Sequence, residues 1–249
     1  MEKIDYLIRA DGLHYRILNE MIHDAIKSGV KEIFIDNVIG QRYIGCGLSE
    51  ENVGIFIKGT PGNDLAAFMD GSKIIVLGNA QDGVGNTMNS GEVVICGDAG
   101  DIVGYSMRGG RIFVKGNVGY RVGIHMKAYK EHFPVIVIGG STGDFLGEYM
   151  AGGLIVVLGL DSDERRVVGD FVGTGMHGGS IFIRGSVENV IWGREVGVTV
   201  AKDEDFKLFE KHLKDFCEYF SLDFNVITNK PFIKLYPQSH RPYGRLYAY

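Results

Sequence analysis

The chain repeats itself. The segments IFIKG (55–59), IIVLG (74–78), VVICG (93–97), IFVKG (112–116), VIVIG (135–139), IVVLG (155–159) and IFIRG (181–185) are versions of one motif, and the closing glycines at 59, 78, 97 and 116 are a constant 19 residues apart. Met69, Met88, Met107 and Met126 keep the same step, and Met150 and Met176 follow, so six of the eight methionines are in register. The interruptions are local. Gly140 adds one residue, Lys127–Pro134 stretches one gap by four, and the charged piece Asp161–Arg166 accounts for most of a seven-residue insertion.

Each unit reads as a short apolar strand, a glycine, a small polar loop, an apolar residue often followed by glycine (Gly85, Gly104, Gly123, Gly147, Gly173), and then methionine. A unit of 19 residues is too short for two long strands and a crossover helix, but it suffices for one coil of short strands joined by sharp bends. Such coils stack in parallel about 4.8 Å apart, so that like side chains lie above like. The sequence therefore predicts a mainly β fold: a single-stranded right-handed parallel β-helix, or solenoid, of about seven rungs with α-helical caps. A period of 19 does not divide into six-residue steps, which argues against a left-handed hexapeptide helix. The methionines are expected to form an inward ladder, because an unbranched, polarizable side chain adapts to neighbours that differ slightly between rungs. The glycines belong at corners, where positive φ or close backbone approach excludes a Cβ.

A solenoid leaves strand edges unpaired at both ends, and the flanking sequences are candidates for covering them. Ile17, Leu18, Met21, Ile22, Ala25 and Ile26 form a helical apolar stripe that stops at Ser28-Gly29 and leads into the strand EIFID (32–36). Phe206, Phe209, Leu213, Phe216, Cys217 and Phe220 mark one face of a second helix, with Asp203 as its capping candidate. The expected organisation is an N-terminal α/β cap at 1–52, β-helix repeats at 53–200, and a C-terminal helix and tail packing on the β-helix at 201–249. The tail, KPFIKLYPQSHRPYGRLYAY, is read as lying along the solenoid wall, with a partner-docking arm of tyrosines and arginines as the alternative.

Glycine, 37 of 249 residues, is about twice as frequent as usual, while the apolar content is 45%. That combination indicates tight corners between buried strands rather than disorder. A net charge of −5 supplies no field for nucleic acid. No run reaches the length of a membrane span and the N-terminus lacks a signal-peptide core, so a cytoplasmic location is expected. Cys46, Cys96 and Cys217 are far apart and fit neither a disulfide framework nor a metal or iron–sulfur spacing.

The search for chemistry yields little. GGSTGDFLGEYMAGG (139–153) has the glycines of a nucleotide loop, but a strand follows it where a dinucleotide site needs a helix, and the same glycines recur in every unit. His14, His23, His125, His132 and His177 show no metal-ligand spacing, and Asp144 and Glu148 share a rung without standing out as an acid–base pair. No catalytic, cofactor-binding or metal-ligating residue is assigned.

Stretches across nearly the whole chain resemble one known family: DGLHYRILNE (11–20), DNVIGQRYIGCGL (36–48), GNAQDGVGNTMNSG (78–91), GDFLGEYMAGG (143–153), VVLG (156–159), GMHGGSIFI (175–183) and PFIKLYP (231–237). They are similar to the C-terminal β-helix, or GXGXG, domain of the glutamate synthase large subunit, a family that also resembles a β-helical subunit of formylmethanofuran dehydrogenase. The resemblance implies a noncatalytic structural subunit of the stand-alone form, since the chain starts Met1-Glu2 and has no barrel pattern or clustered cysteines. It implies as partners a separate amidotransferase and an FMN-containing synthase chain, which would carry the FMN and iron–sulfur clusters, with no cofactor bound by this chain. A homo-oligomer is compatible with this. The alternatives are a scaffold in another redox complex of the formylmethanofuran type, and an independent enzyme with a groove beside the widened rungs.

Overall fold

The computed structural model describes residues 6–160 and 166–239. In chain order the elements are β1 (Tyr6–Arg9), α1 (Tyr15–Lys27), β2 (Glu32–Ile39), β3 (Gly54–Thr60), β4 (Asp70–Val76), β5 (Ser90–Ile95), β6 (Arg111–Val114), β7 (Val135–Ile138), β8 (Ala151–Val157), β9 (Gly178–Arg184), β10 (Val196–Val200), α2 (Asp203–Phe220), α3 (Phe224–Thr228) and β11 (Phe232–Pro237). One sheet of 11 strands runs from β1 to β9 in sequence order and ends with β11 and β10.

The repeat segments are strands β3 to β9, each paired in parallel with the next and in the register of the sequence motif. Ile55 lies beside Ile74, then Val93, Ile112, Ile136, Ile155 and Ile181. Seven strands so arranged bound six full coils of a parallel β-solenoid. The segment expected as an N-terminal cap also enters the ladder from Tyr6 onward: β1 pairs with β2 and β2 with β3, both in parallel. Helix α1 is inserted between β1 and β2, and its Leu18, Ile22, Ala25 and Ile26 close the interior.

The period-2 pattern of a strand sends Ile55 and Ile57 inward and Phe56 outward. The six repeat methionines have no exposed surface and share one interior cluster with these isoleucines. Their alignment is carried by the main chain. The amides of Asn89, Arg108, Lys127, Ala151 and His177 donate to the carbonyls of Met69, Met88, Met107, Met126 and Met150 at 2.8–2.9 Å. The insertion at 127–134 leaves this ladder intact because it loops outward, closing on itself through Tyr129 and His132.

Five residues before each repeat methionine the backbone enters an alternating conformation. Residues 43, 45 and 47, then 64, 66 and 68, and their equivalents at 83, 102, 121, 145 and 171 onward, all have φ between +52° and +74°. The alternation turns successive amides up and down the stack. In the turn at 121–125, Arg121 and His125 donate to the carbonyls of Asp144 and Glu148 in the next rung at 2.9 and 3.0 Å. Gly123 donates to Val103 in the previous rung at 2.8 Å. The turns at 83–87, 102–106 and 145–149 repeat the pattern. The central position faces inward, where a Cβ on Gly123 would lie 2.5 Å from Ile155 Cδ1. The flanking positions face outward and accept side chains such as Arg121 and His125, at the modest cost of a left-handed backbone.

A second device stitches the polar loops. Asp98, Asn117 and Ser141 donate their amides to Oδ1 of Asn79, Asp98 and Asn117, one rung before. Asp101, Tyr120 and Asp170 do the same toward Asp82, Asp101 and Asp144, all six bonds spanning 2.7–2.9 Å. These Asx ladders explain sequences such as GDAGD (97–101): the glycine before each donating amide sits against the accepting oxygen, as Gly119 does against Asp101.

The far end departs from expectation. Phe232–Pro237, within the segment read as a tail along the wall, form strand β11, which pairs antiparallel with β9 and with β10. This pairing, rather than a helix, satisfies the edge of β9. Helix α2 instead lies on the outer face of β5 to β9, where Phe209, Leu213, Phe216 and Phe220 pack on Val94, Phe113, Val137, Val156 and Phe182. Its N-cap is Lys202, whose amide donates to Asp205 at 3.0 Å; Asp203 is the first helical residue. The rest of the tail, 240–249, lies outside the described residues, as does most of the insertion at 161–166.

Two substitutions separate corner geometry from corner space. Gly123→Ala combines left-handed φ with the Ile155 clash and should lower unfolding free energy by about 2–4 kcal/mol in urea titrations. Gly12→Ala, with φ +67° and nothing within 4 Å, should lower it by only about 1 kcal/mol. Met107→Ala should lower it by about 2–5 kcal/mol through the cavity it leaves in the ladder.

Candidate functional site

The strands present three columns of outward side chains. The middle column, Leu7, Phe34, Phe56, Ile75, Val94, Phe113, Val137, Val156 and Phe182, is apolar throughout. Helix α2 covers this column from Phe182 back to Val94. Beside it, Lys73, Glu92 and Arg111 occupy equivalent positions on successive strands, so their charges alternate along the stack.

This charged column meets one side of α2. Spacings of three and four residues bring His212, Asp215 and Tyr219 together there. The Tyr219 hydroxyl donates to Glu92, Lys73 Nζ donates to Tyr219 at 2.6 Å, and Arg111 bridges Glu92 and Asp215. Arg111 Nη2 lies 2.5 Å from Glu92 Oε2, close enough for an ion pair although not aligned as a hydrogen bond. Burial, then the Glu92 contact, raises the pKa of Tyr219. Lys73 is raised too, its bond to Tyr219 and the nearby Glu92 outweighing the larger single effect of desolvation. Burial, reinforced by Arg111, holds the His212 imidazole below the usual histidine range, and its Nδ1 is buried without a hydrogen-bond partner. The network fixes the axial position of α2 on the wall. Removing one member leaves buried charge behind, which is why such networks are sensitive to single substitutions.

Most of the acidic residues, histidines and glycines weighed above for chemistry fall elsewhere, with structural partners. Asp144 accepts the Asp170 amide, Glu148 pairs with Arg121 at 3.1 Å, and His132 Nδ1 lies 3.0 Å from the Asn89 carbonyl. His177 Nδ1 is 3.2 Å from the Gly175 carbonyl. Within 139–153 the amides of Gly139, Gly140, Gly143 and Gly147 all donate to the previous rung, so these glycines serve stacking. Along the left-handed corner the outward side chains also stack: His125 on Tyr149 at 5.3 Å, Phe145 on Phe171 at 5.1 Å, and Arg121 over Phe145 at 4.9 Å. The three cysteines are free.

A cleft of ≈ 790 Å³ opens beside α3, lined by Leu160, Val167, Arg184, Asp223, Val226 and Lys230 among others. Its buried guanidinium, Arg184, donates to the carbonyls of Ile227 and Val226 and to Asn229 Oδ1, and thereby caps α3. Among the described residues, no group of three His, Cys, Asp or Glu is placed to hold a metal ion. No helix among them is long and apolar enough to cross a membrane.

The fold defines a parallel β-solenoid built on alternating left-handed corners, and residues 30–238 match the GXGXG motif family. The chain belongs to that family. It is 46% identical over 256 residues to an uncharacterized protein of Methanocaldococcus jannaschii, covering 100% of this chain and 97% of the relative. Among solved structures it is similar to a chain in the formyltransferase/hydrolase complex of Methylorubrum extorquens in complex with methylofuran, with TM-score 0.59 and 22% identity over 81% of this chain and 72% of that one. That likeness is one of fold.

The state of His212 predicts a pH dependence. Its folded pKa lies below the unfolded value, so the unfolded chain binds more protons on acidification, and the stability present above about pH 6.5 declines as pH falls. His212→Gln should lose less stability than the parent between pH 7.5 and 5.5, measured as the shift in urea midpoint.

Proposed function

We propose that this chain is a noncatalytic structural subunit of a glutamate synthase, holding a separate amidotransferase chain and an FMN-containing synthase chain in register. The observation that carries this reading is the extent of the motif resemblance: its segments run from residue 11 to residue 237, and they fall on α1, the ladder strands, the left-handed corners and β11 rather than on one local loop. A rod of this kind suits holding. Its main-chain groups are engaged rung to rung, so its surface can carry contacts without reshaping the core. FMN and the iron–sulfur clusters belong, on this reading, to the partner chains, and the assembly is cytoplasmic.

A second reading makes the chain a scaffold in another redox complex of the formylmethanofuran dehydrogenase type. It is favoured by the likeness in fold to a chain from a formyltransferase/hydrolase complex.

Native purification through a tag on this chain tests both. The glutamate synthase reading expects stoichiometric recovery of an amidotransferase and an FMN protein, with reductant-dependent conversion of 2-oxoglutarate and glutamine to glutamate that falls at least tenfold when this chain is omitted from reconstitution. Recovery of a molybdenum or tungsten enzyme would transfer the assignment to the second reading. Glutamate formation by the isolated chain would overturn both.

A further inference from the structure

The apolar column on the outer wall is longer than the helix that covers it. Helix α2 ends at Phe220, where Tyr219 touches Lys73, and the chain then turns away into α3. Toward the N-terminal end Ile75 still packs against the cluster under α2, and the column then continues through Phe56, Phe34 and Leu7 with no element laid over it among the described residues. Phe34 and Phe56 stack on each other at 4.7 Å, and Leu7 is 50% exposed.

We propose that this uncovered stripe is a docking site for an amphipathic helix of a partner subunit, laid on the wall as a continuation of α2. The inference rests on the subunit reading above. Three observations select the occupant. First, the site is continuous with an interface that already takes a helix: the same column, on the same sheet, accepts Phe209, Leu213 and Phe216 of α2. Second, the stripe is one column wide. Arg9, Asp36 and Lys58 flank it on one side and Glu32 on the other, so a flat sheet laid across it would desolvate charges that a helix leaves at its margins. Third, a second copy of this chain offers no suitable helix among the described residues. The apolar stripes of α1 and α2 are already buried in the interior and on the wall. From Leu7 to Phe56 the stripe runs about 10 Å at the strand spacing, which corresponds to about two helical turns. The partner segment should therefore carry apolar residues at i, i+3 or i+4, and i+7, with charged residues on either side.

The test places a photo-crosslinking amino acid at Phe34 or Phe56 of the full chain, assembled with its copurifying partners, and maps the adducts by mass spectrometry. The expected result is adducts confined to one partner segment with that spacing, together with at least a 30-fold loss of affinity in Phe56→Glu. Leu7→Glu, whose side chain is half exposed, serves as a second variant with little effect on folding, and an unchanged melting temperature with weakened binding supports the site. Adducts to another copy of this chain, adducts to a sheet or loop, or binding unchanged in both variants would overturn it. The two readings fail separately. If the partners are an amidotransferase and an FMN protein but the adducts lie elsewhere, only the docking site falls. If a helix of another kind of protein is captured, the glutamate synthase assignment falls and the docking site stands.

Discussion

Everything in this molecule depends on main-chain hydrogen bonds running from rung to rung, including through the corners. Straight parallel strands achieve such pairing easily, but a bend usually turns amides away from the neighbouring coil. Here alternate residues take left-handed φ, so that one amide of the corner points to the previous rung and the next left-handed amide to the following one. The left-handed amides of the bend are thereby paired between rungs, as those of the strands are. Each unsatisfied amide inside such a stack would cost about 1–3 kcal/mol, and the loss would recur at every rung.

That constraint dictates the glycines and, through them, the rest of the core. The central residue of these corners is glycine except at Ala66, and in most of them it makes room for an isoleucine of the wall, as Gly123 does for Ile155 and Gly147 for Ile181. The methionine three residues later fills the space beside them. The Asx ladders tie the polar loops with side-chain oxygens where the main chain does not pair directly. Glycine, isoleucine, methionine and aspartate in this repeat are parts of one repeated arrangement, which is why they keep a common period.

The outer surface follows other rules. It must take a helix on one side and remain hydrated elsewhere, and it does so by changing the chemistry along each column. The column beside the apolar stripe begins with Glu32, alternates charge through Lys73, Glu92 and Arg111, and becomes apolar at Val135 and Leu154, under the cover of α2. The polar network with Tyr219 and Asp215 marks the transition and fixes where the helix stops. Function on the proposed reading belongs to this outer surface, whereas the interior supplies only stiffness and spacing.

The amino-acid sequence by itself determined the repeat, the parallel register, the inward methionines and the apolar faces of both helices. These are legible because each arises from a period: 19 residues for the rung, two for the strand, 3.6 for the helix. Only the tertiary structure decided that α2 lies on the wall while β11 meets the edge of β9, since an apolar helix face does not reveal which surface it will cover. The contact of Tyr219 with Lys73 and Glu92 joins residues 146 and 127 positions apart, and the pairing of β11 with β9 is likewise between distant segments. No local pattern encodes such contacts, because they arise when the stack sets side chains from different turns side by side and the end of the chain folds back across them.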